Sequence, residues 1–293
     1  MKWEGRRQSK NVEDRRGAPG GGRMPRLGGR GLGVGTIVIA LLAGWAFGIN
    51  PLTVLGLLAG GGPGAAVQQA PAGADTVPVN DRAARFALTV LADTEDVWNP
   101  LFRASRGQYR EPTLVLFRGS TPSACGLGQS AMGPFYCPGD SKVYIDLGFF
   151  DTLAQRMGAP GDFAQAYVVA HEVGHHIQSL LGVTQRMDAM RGRASDAQLN
   201  AMSVRLELQA DCLAGVWAHH SQRGKGWLEA GDVEEAMNAA AQIGDDVLQR
   251  QASGTVRPES FTHGSSAQRQ RWFRRGLDGG QMGQCNTFDA PSL

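Results

Sequence analysis

The chain has 293 residues, of which 42% are apolar and 19% charged, so it can bury a core and is not an intrinsically disordered protein. Its formal net charge of +2 conceals an uneven distribution, because residues 1–30 carry nine Lys or Arg and three Asp or Glu. A basic segment of this kind contacts either nucleic acid or an anionic membrane surface. The residues that follow favour the membrane and argue against a nucleic-acid partner.

An uncharged stretch follows the basic segment, over residues 31–74. It contains two apolar runs, residues 32–47 and 52–59, separated by Gly-Ile-Asn-Pro. Since a spanning helix needs about 20 apolar residues, we predict one transmembrane anchor within residues 31–59 that ends in the interval 49–59. A cleaved signal peptide is the alternative, but the stretch is long and shows no clean small-residue cleavage site.

The charge distribution also predicts an orientation and a domain organisation. Segments rich in Lys and Arg stay in the cytoplasm, so residues 1–30 are interpreted as a basic cytoplasmic arm and the chain after the anchor as extracytoplasmic. Residues 60–80 are rich in Gly, Pro, Ala and Gln and are interpreted as a flexible linker. A folded domain is predicted over residues 81–293, attached to the cell membrane by a single pass.

Four cysteines lie in the predicted domain, an even number that fits an oxidising compartment. Cys125 and Cys137 close a short Gly-rich loop, and Cys212 and Cys285 form the second candidate pair. The alternative is that all four are buried free thiols, since an unpaired cysteine is often a core residue.

The predicted domain is of the α+β class, mostly helical with a small sheet. Apolar spacing after residue 80 indicates a helix of about 20 residues capped by Asn80 or Asp81. Residues 113–117 and 142–147 have the composition of strands, and the second is also a candidate edge for an extended peptide substrate. Further helix starts are predicted where Ser or Asp precedes Gln or Glu by three residues, at Asp162, Ser195, Asp232 and Ser265.

The strongest chemical signal is the sequence His171-Glu172-Val173-Gly174-His175, in the middle of the helix predicted from Asp162. Residues i and i+4 share one face of a helix, so both imidazoles can bind one Zn²⁺. Glu172 lies beside the first ligand, where it can take a proton from a water whose pKa zinc lowers to about 7. The motif therefore predicts one zinc ion per chain, with Glu172 as the catalytic general base.

A catalytic zinc typically has a third protein ligand and an open position. The histidines that could serve are His219, His220 and His263. An acidic residue on the next predicted helix fits better, because Glu207 and Asp211 are four residues apart and face the same way. In this hypothesis Glu207 is the third ligand, and Asp211 accepts the remaining ring N–H of His171 and fixes its tautomer.

A helix with HExxH followed by one with Glu-x-x-x-Asp resembles the gluzincin arrangement of zinc peptidases. More closely, several segments resemble the bacterial "putative neutral zinc metallopeptidase" family, nearly throughout the chain. They are WEGRRQSKNVEDRRG (3–17), GPFYCPGDSKVYIDL (133–147), AHEVGHHIQ (170–178), ELQADCLAGVWA (207–218) and FTHGSSAQRQRWFRRG (261–276). The resemblance implies a zincin-like fold with the metal on His171, His175 and Glu207.

Transition-state stabilisation needs a further hydrogen-bond donor. His263, in a loop before a capped helix, is a candidate, and it could instead only order the start of that helix. Tyr144 and Tyr167 are rival donors. His176 points about 100° away from His175 on the helix and is interpreted as structural.

The sequence thus predicts a membrane-anchored zinc metallopeptidase that hydrolyses peptide bonds of a peptide or protein substrate. The alternative is a non-catalytic, membrane-tethered protein that uses zinc for structure or partner docking. A structural zinc site has four protein ligands and no use for a general base. Glu172 therefore favours the enzyme.

Overall fold

The computed structural model describes residues 1–17 and 81–293. The predicted anchor, residues 31–59, and the predicted linker, residues 60–80, lie outside the described residues. None of the described helices is long and apolar enough to cross a membrane.

Helices account for most of the described fold, as the apolar spacing predicted. Their bounds are α1 Arg82–Ala104, α2 Gly148–Gln155, α3 Asp162–Leu180, α4 Val183–Met190, α5 Asp196–Lys225, α6 Asp232–Gln242, α7 Asp245–Ser253 and α8 Ser266–Gly279. Helix α1 begins where the sequence indicated, because the Asp81 side chain accepts a hydrogen bond from the backbone N–H of Ala84. The short helices α2, α4 and α7 were not predicted.

The strands of the described chain form one four-stranded sheet and one hairpin. Their bounds are β1 Val12–Asp14, β2 Thr113–Phe117, β3 Ser120–Ser123, β4 Gly126–Gln129, β5 Phe135–Cys137 and β6 Lys142–Asp146. The sheet has the order β1-β2-β6-β5, and β3 pairs with β4. β1 and β6 run parallel to β2, whereas β5 runs antiparallel to β6. The prediction that residues 142–147 offer a sheet edge is wrong, since β6 is paired on both sides.

Residues 1–17 are part of this fold. Strand β1 pairs Val12 with Leu114 of β2. The Trp3 side chain is 2% exposed, and its indole N–H donates to Asp162 at 2.8 Å. The predicted boundaries placed these residues in a separate arm because their charge count was high, but many of the charges form ion pairs with the domain, as Arg7 does with Glu95.

A helix begins within one residue of each of the four predicted capping boxes, but the box itself forms only where serine is the cap. Ser195 and Ser265 each form a complete capping box with the Gln three residues later. Helices α3 and α6 are instead preceded by Gly161 and Gly231 without a side-chain cap. The Asp162 carboxylate, which would have capped α3, accepts the Trp3 indole N–H.

Two close helix crossings bring α3, α5 and α8 together around the long α5. A Cβ on Gly174 of α3 would lie 2.9 Å from the carbonyl oxygen of Ala210 on α5. A Cβ on Gly276 of α8 would lie 1.9 Å from the carbonyl oxygen of Cys212, so these backbones approach closer than any larger residue allows. Glycine at these positions fixes the spacing between the helices that carry the site.

Both candidate disulfides are present. Cys125–Cys137 links the β3–β4 turn to strand β5. Cys212–Cys285 links α5 to the segment after α8, and Cys212 directly follows Asp211 in the chain.

Candidate metal centre

The crossing of α3 and α5 brings the three predicted ligands together. Nε2 of His171 lies 3.1 Å from one Glu207 carboxylate oxygen, and Nε2 of His175 lies 3.4 Å from the other. One ligand atom from each of the three residues lies within 4.8 Å of the others. Among the described residues, this trio is the one cluster of His, Cys, Asp or Glu side chains with metal-binding geometry.

Each histidine is held by a partner on its other ring nitrogen. Nδ1 of His171 lies 2.8 Å from the Asp211 carboxylate, as the sequence predicted. Nδ1 of His175 lies 2.8 Å from the side-chain carbonyl oxygen of Gln178, three residues away on the same helix. The sequence did not predict this contact. Because both partners accept a hydrogen bond from Nδ1, both rings leave Nε2 as the ligand atom.

The electrostatics of the cluster favour a bound cation. Burial opposes a charge on the His171 ring, but the Asp211 and Glu207 carboxylates together outweigh burial and raise the pKa of His171 to about 10. Burial likewise opposes ionisation of Glu207, yet His175 and His171 hold the pKa of that carboxyl well below its usual value. Carboxylates that stabilise an imidazolium also stabilise a divalent cation. Protons and the cation therefore compete for the same side chains.

The donor set fits zinc. Two neutral imidazole nitrogens and one carboxylate form a ligand set found in catalytic zinc sites. The side chains come from two rigid helices, and His171 is 5% exposed. The geometry therefore supports the predicted roles of His171, His175 and Glu207.

Glu172 lies in the same turn of α3 as the ligands. It is 7% exposed, and its negative charge acts on His175. A carboxylate so placed can accept a proton from a water molecule that enters the centre.

Asp211 is the hub of a buried network behind the ligands. It is 0% exposed and accepts hydrogen bonds from the Tyr167 hydroxyl at 2.5 Å and from Arg269 of α8 at 2.8 and 2.9 Å. Arg269 and His171 lower the pKa of Asp211 to about 2 against the effect of burial. Asp211 is therefore ionised when it accepts the hydrogen bond from Nδ1 of His171.

Arg269 is a residue of this buried network that the sequence did not predict. It lies among other arginines in the segment 261–276 and is 2% exposed. A signal was present, since Trp272, Phe273 and Gly276 follow it at the i+3, i+4 and i+7 positions of one apolar face.

His263 lies in a loop held by Asp245 at the start of α7. One Asp245 oxygen accepts the backbone N–H groups of Thr262, His263 and Gly264 at 2.7, 2.6 and 3.0 Å, and the other lies 3.1 Å from Nδ1 of His263. A Cβ on Gly264 would come within 3.2 Å of the Leu208 side chain, so the loop packs on α5 next to Glu207. The Asp245 hydrogen bond and the Glu207 charge both raise the pKa of His263.

The remaining histidines and tyrosines have partners elsewhere. His219 and His220 bond the carbonyls of Leu277 and Gly280, so neither is a ligand. The predicted structural role of His176 is supported by its burial and by its bond to the carbonyl of Arg110. The rival donors Tyr144 and Tyr167 direct their hydroxyls to Asp140 and Asp211.

The chain matches one protein-family model and several bacterial proteins over most of its length. The family model described as "Putative neutral zinc metallopeptidase" matches residues 1–288. An uncharacterized protein of Escherichia coli K12, YpfJ, is 49% identical over 295 residues, which cover 98% of this chain and 99% of the relative. An uncharacterized protein of Mycobacterium tuberculosis H37Rv, Rv2575, is 41% identical over 242 residues, covering 79% of this chain and 78% of the relative. No solved structure matches the chain.

Proposed function

Since the chain belongs to the family described as "Putative neutral zinc metallopeptidase", we propose that it is a zinc-dependent peptidase that hydrolyses peptide bonds of a peptide or protein substrate. The observation that carries the proposal is the meeting of His171, His175 and Glu207 within 4.8 Å, with Glu172 in the same helical turn. A metal-ligand set with a general base beside it is the arrangement that zinc-dependent hydrolysis of an amide uses.

In this proposal, zinc and four residues of the chain have separate roles in peptide hydrolysis. Zinc, when bound, lowers the pKa of water and polarises the substrate carbonyl. Glu172 accepts the proton of the attacking water and passes it to the departing amine. His263 donates a hydrogen bond to the carbonyl oxygen as negative charge develops there. Asp211 and Gln178 keep the ligand rings of His171 and His175 in orientation.

The alternative, a non-catalytic zinc-binding protein, is less well supported. A structural zinc site is closed by four protein ligands. In the part of the chain that the structure describes, the ligand cluster consists of two histidines and one glutamate. Three protein ligands and a neighbouring carboxylate are the pattern of a catalytic site.

Membrane attachment is part of the proposal and rests on the sequence. The uncharged stretch 31–74 contains apolar runs suited to a bilayer. The two disulfides favour an oxidising compartment for the domain. We therefore propose that the enzyme acts at a membrane surface, outside the reducing cytosol.

Zinc-dependent peptidase activity is expected in the membrane fraction after centrifugation, and a chelator is expected to abolish it. The full chain, solubilised from membranes in mild detergent, is incubated with an unbiased peptide mixture, and new termini are identified by mass spectrometry. Cleavage should stop on chelation and return on addition of zinc, because the ligand cluster is then refilled. Cleavage that survives complete metal removal would overturn the proposed chemistry.

His263→Ala is expected to lower kcat by about 10²-fold with little change in KM, because a donor to the developing oxyanion acts mainly in the transition state. Since the pKa of His263 is raised, its imidazolium is present below that pKa and is lost as pH rises through it. The matching alkaline limb of the kcat profile should disappear in the variant. Gln251→Ala, an exposed change on α7, is the control. A rise in KM with an unchanged kcat would contradict the catalytic role.

A further inference from the structure

The buried guanidinium of Arg269 contacts no predicted ligand atom, although its Nη2 lies 3.4 Å from Nδ1 of the His171 ring. It donates hydrogen bonds to Asp211, the residue that orients this ring. Nε of Arg269 donates to one Asp211 oxygen at 2.8 Å, and Nη2 donates to the other at 2.9 Å. This two-point contact fixes the plane of the carboxylate, as bidentate arginine contacts do. Asp211 then presents its second oxygen to Nδ1 of His171 at 2.8 Å.

The position of Arg269 is itself tightly constrained. It lies in the first turn of α8, which begins with the Ser265–Gln268 capping box. Its guanidinium also donates to the Tyr167 hydroxyl at 3.2 Å and to the Ile243 carbonyl at 3.2 Å. Farther along α8, Gly276 brings the helix against the backbone of α5. Side chains from two other helices, α3 and α5, and the Ile243 carbonyl therefore determine where the Arg269 guanidinium lies.

We propose that Arg269 is a positioning residue of the metal centre, which acts through Asp211 on the ring of His171 and so sets the affinity for zinc. The C-terminal helix α8 supplies no ligand, but it becomes part of the metal centre through this contact. The inference rests on the proposed metal centre and extends it to a residue 98 positions away from His171 in the chain.

Arg269→Gln is expected to weaken zinc binding by about 10- to 100-fold, the usual effect of losing a partner behind a metal ligand. Arg269→Lys keeps the charge but not the two-point geometry and should lie between the parent and Arg269→Gln. The matched control is Arg274→Gln, which removes the same charge from an exposed position of the same helix and should bind zinc as the parent does.

Zinc affinity is measured on the full chain by competition with a chromophoric chelator at fixed pH, and circular dichroism confirms that each variant is folded. If Arg269→Gln does not fold, Arg269→Lys decides the question. Parent-like affinity in a folded Arg269 variant would overturn the positioning role and leave only a structural one. Absence of zinc binding in the parent would instead overturn the metal centre itself, so the two failures are distinguishable.

Discussion

Replacement of Glu172 by Gln is expected to lower kcat for peptide hydrolysis by about 10³-fold, within the range for loss of a general base. Zinc should stay bound with an affinity within about twofold of the parent, because Glu172 lies outside the ligand trio and the ligand partners are untouched. The amide has the shape of the carboxylate, so packing in this buried turn is retained while proton acceptance is lost.

The measurement is kcat and KM on a peptide found with the parent chain, together with zinc stoichiometry and affinity. Glu259→Gln, an isosteric change at an exposed position, is the matched control and should leave kcat unchanged. Full turnover by the Glu172→Gln variant would exclude Glu172 as the base, whereas loss of zinc from that variant would assign it a binding role instead.

Trp3→Ala is expected to lower the free energy of unfolding by about 3–5 kcal/mol, as for other buried aromatic residues. The side chain is 2% exposed, its ring packs edge-on against Phe86 at 5.2 Å, and its indole N–H bonds Asp162. For a domain of this size, the melting temperature should fall by about 6–20 °C.

Unfolding is followed by circular dichroism at 222 nm on the full chain. Gln8→Ala, at an exposed position of the same segment, should change stability by less than about 0.5 kcal/mol. Equal stability of the Trp3→Ala variant and the parent would mean that residues 1–17 are not packed on the domain as described.

The sequence predicted the meeting of His171, His175 and Glu207 because its signals are short-range. His171 and His175 are one helical turn apart, as are Glu207 and Asp211, so each pair could be placed on one helix face from spacing alone. The pairing between the two helices then followed from the chemistry that zinc requires. The capping boxes at Ser195 and Ser265 are local for the same reason.

The parts that the sequence did not predict depend on contacts between distant segments. Arg269 meets Asp211 across 58 positions, and Asp245 meets the His263 loop across 18. Asp162 fails as a cap because Trp3, 159 positions away, takes its carboxylate. Local spacing carries no information on which distant group a side chain will meet.

The pairing of β1 with β2 also restricts how the chain can meet a bilayer. Strands joined by hydrogen bonds in one sheet occupy one compartment, and Arg16 further bonds Asp81 across the interval between the two described ranges. Basic flanking segments stay cytoplasmic, which would place residues 1–17 on the inner side of the membrane. The disulfides favour an oxidising compartment, which would place residues 81–293 on its outer side. These two ranges nevertheless form one fold. An arrangement with residues 1–17 inside and residues 81–293 outside would divide this sheet, so the predicted single pass with a cytoplasmic arm does not fit the pairing of β1 with β2.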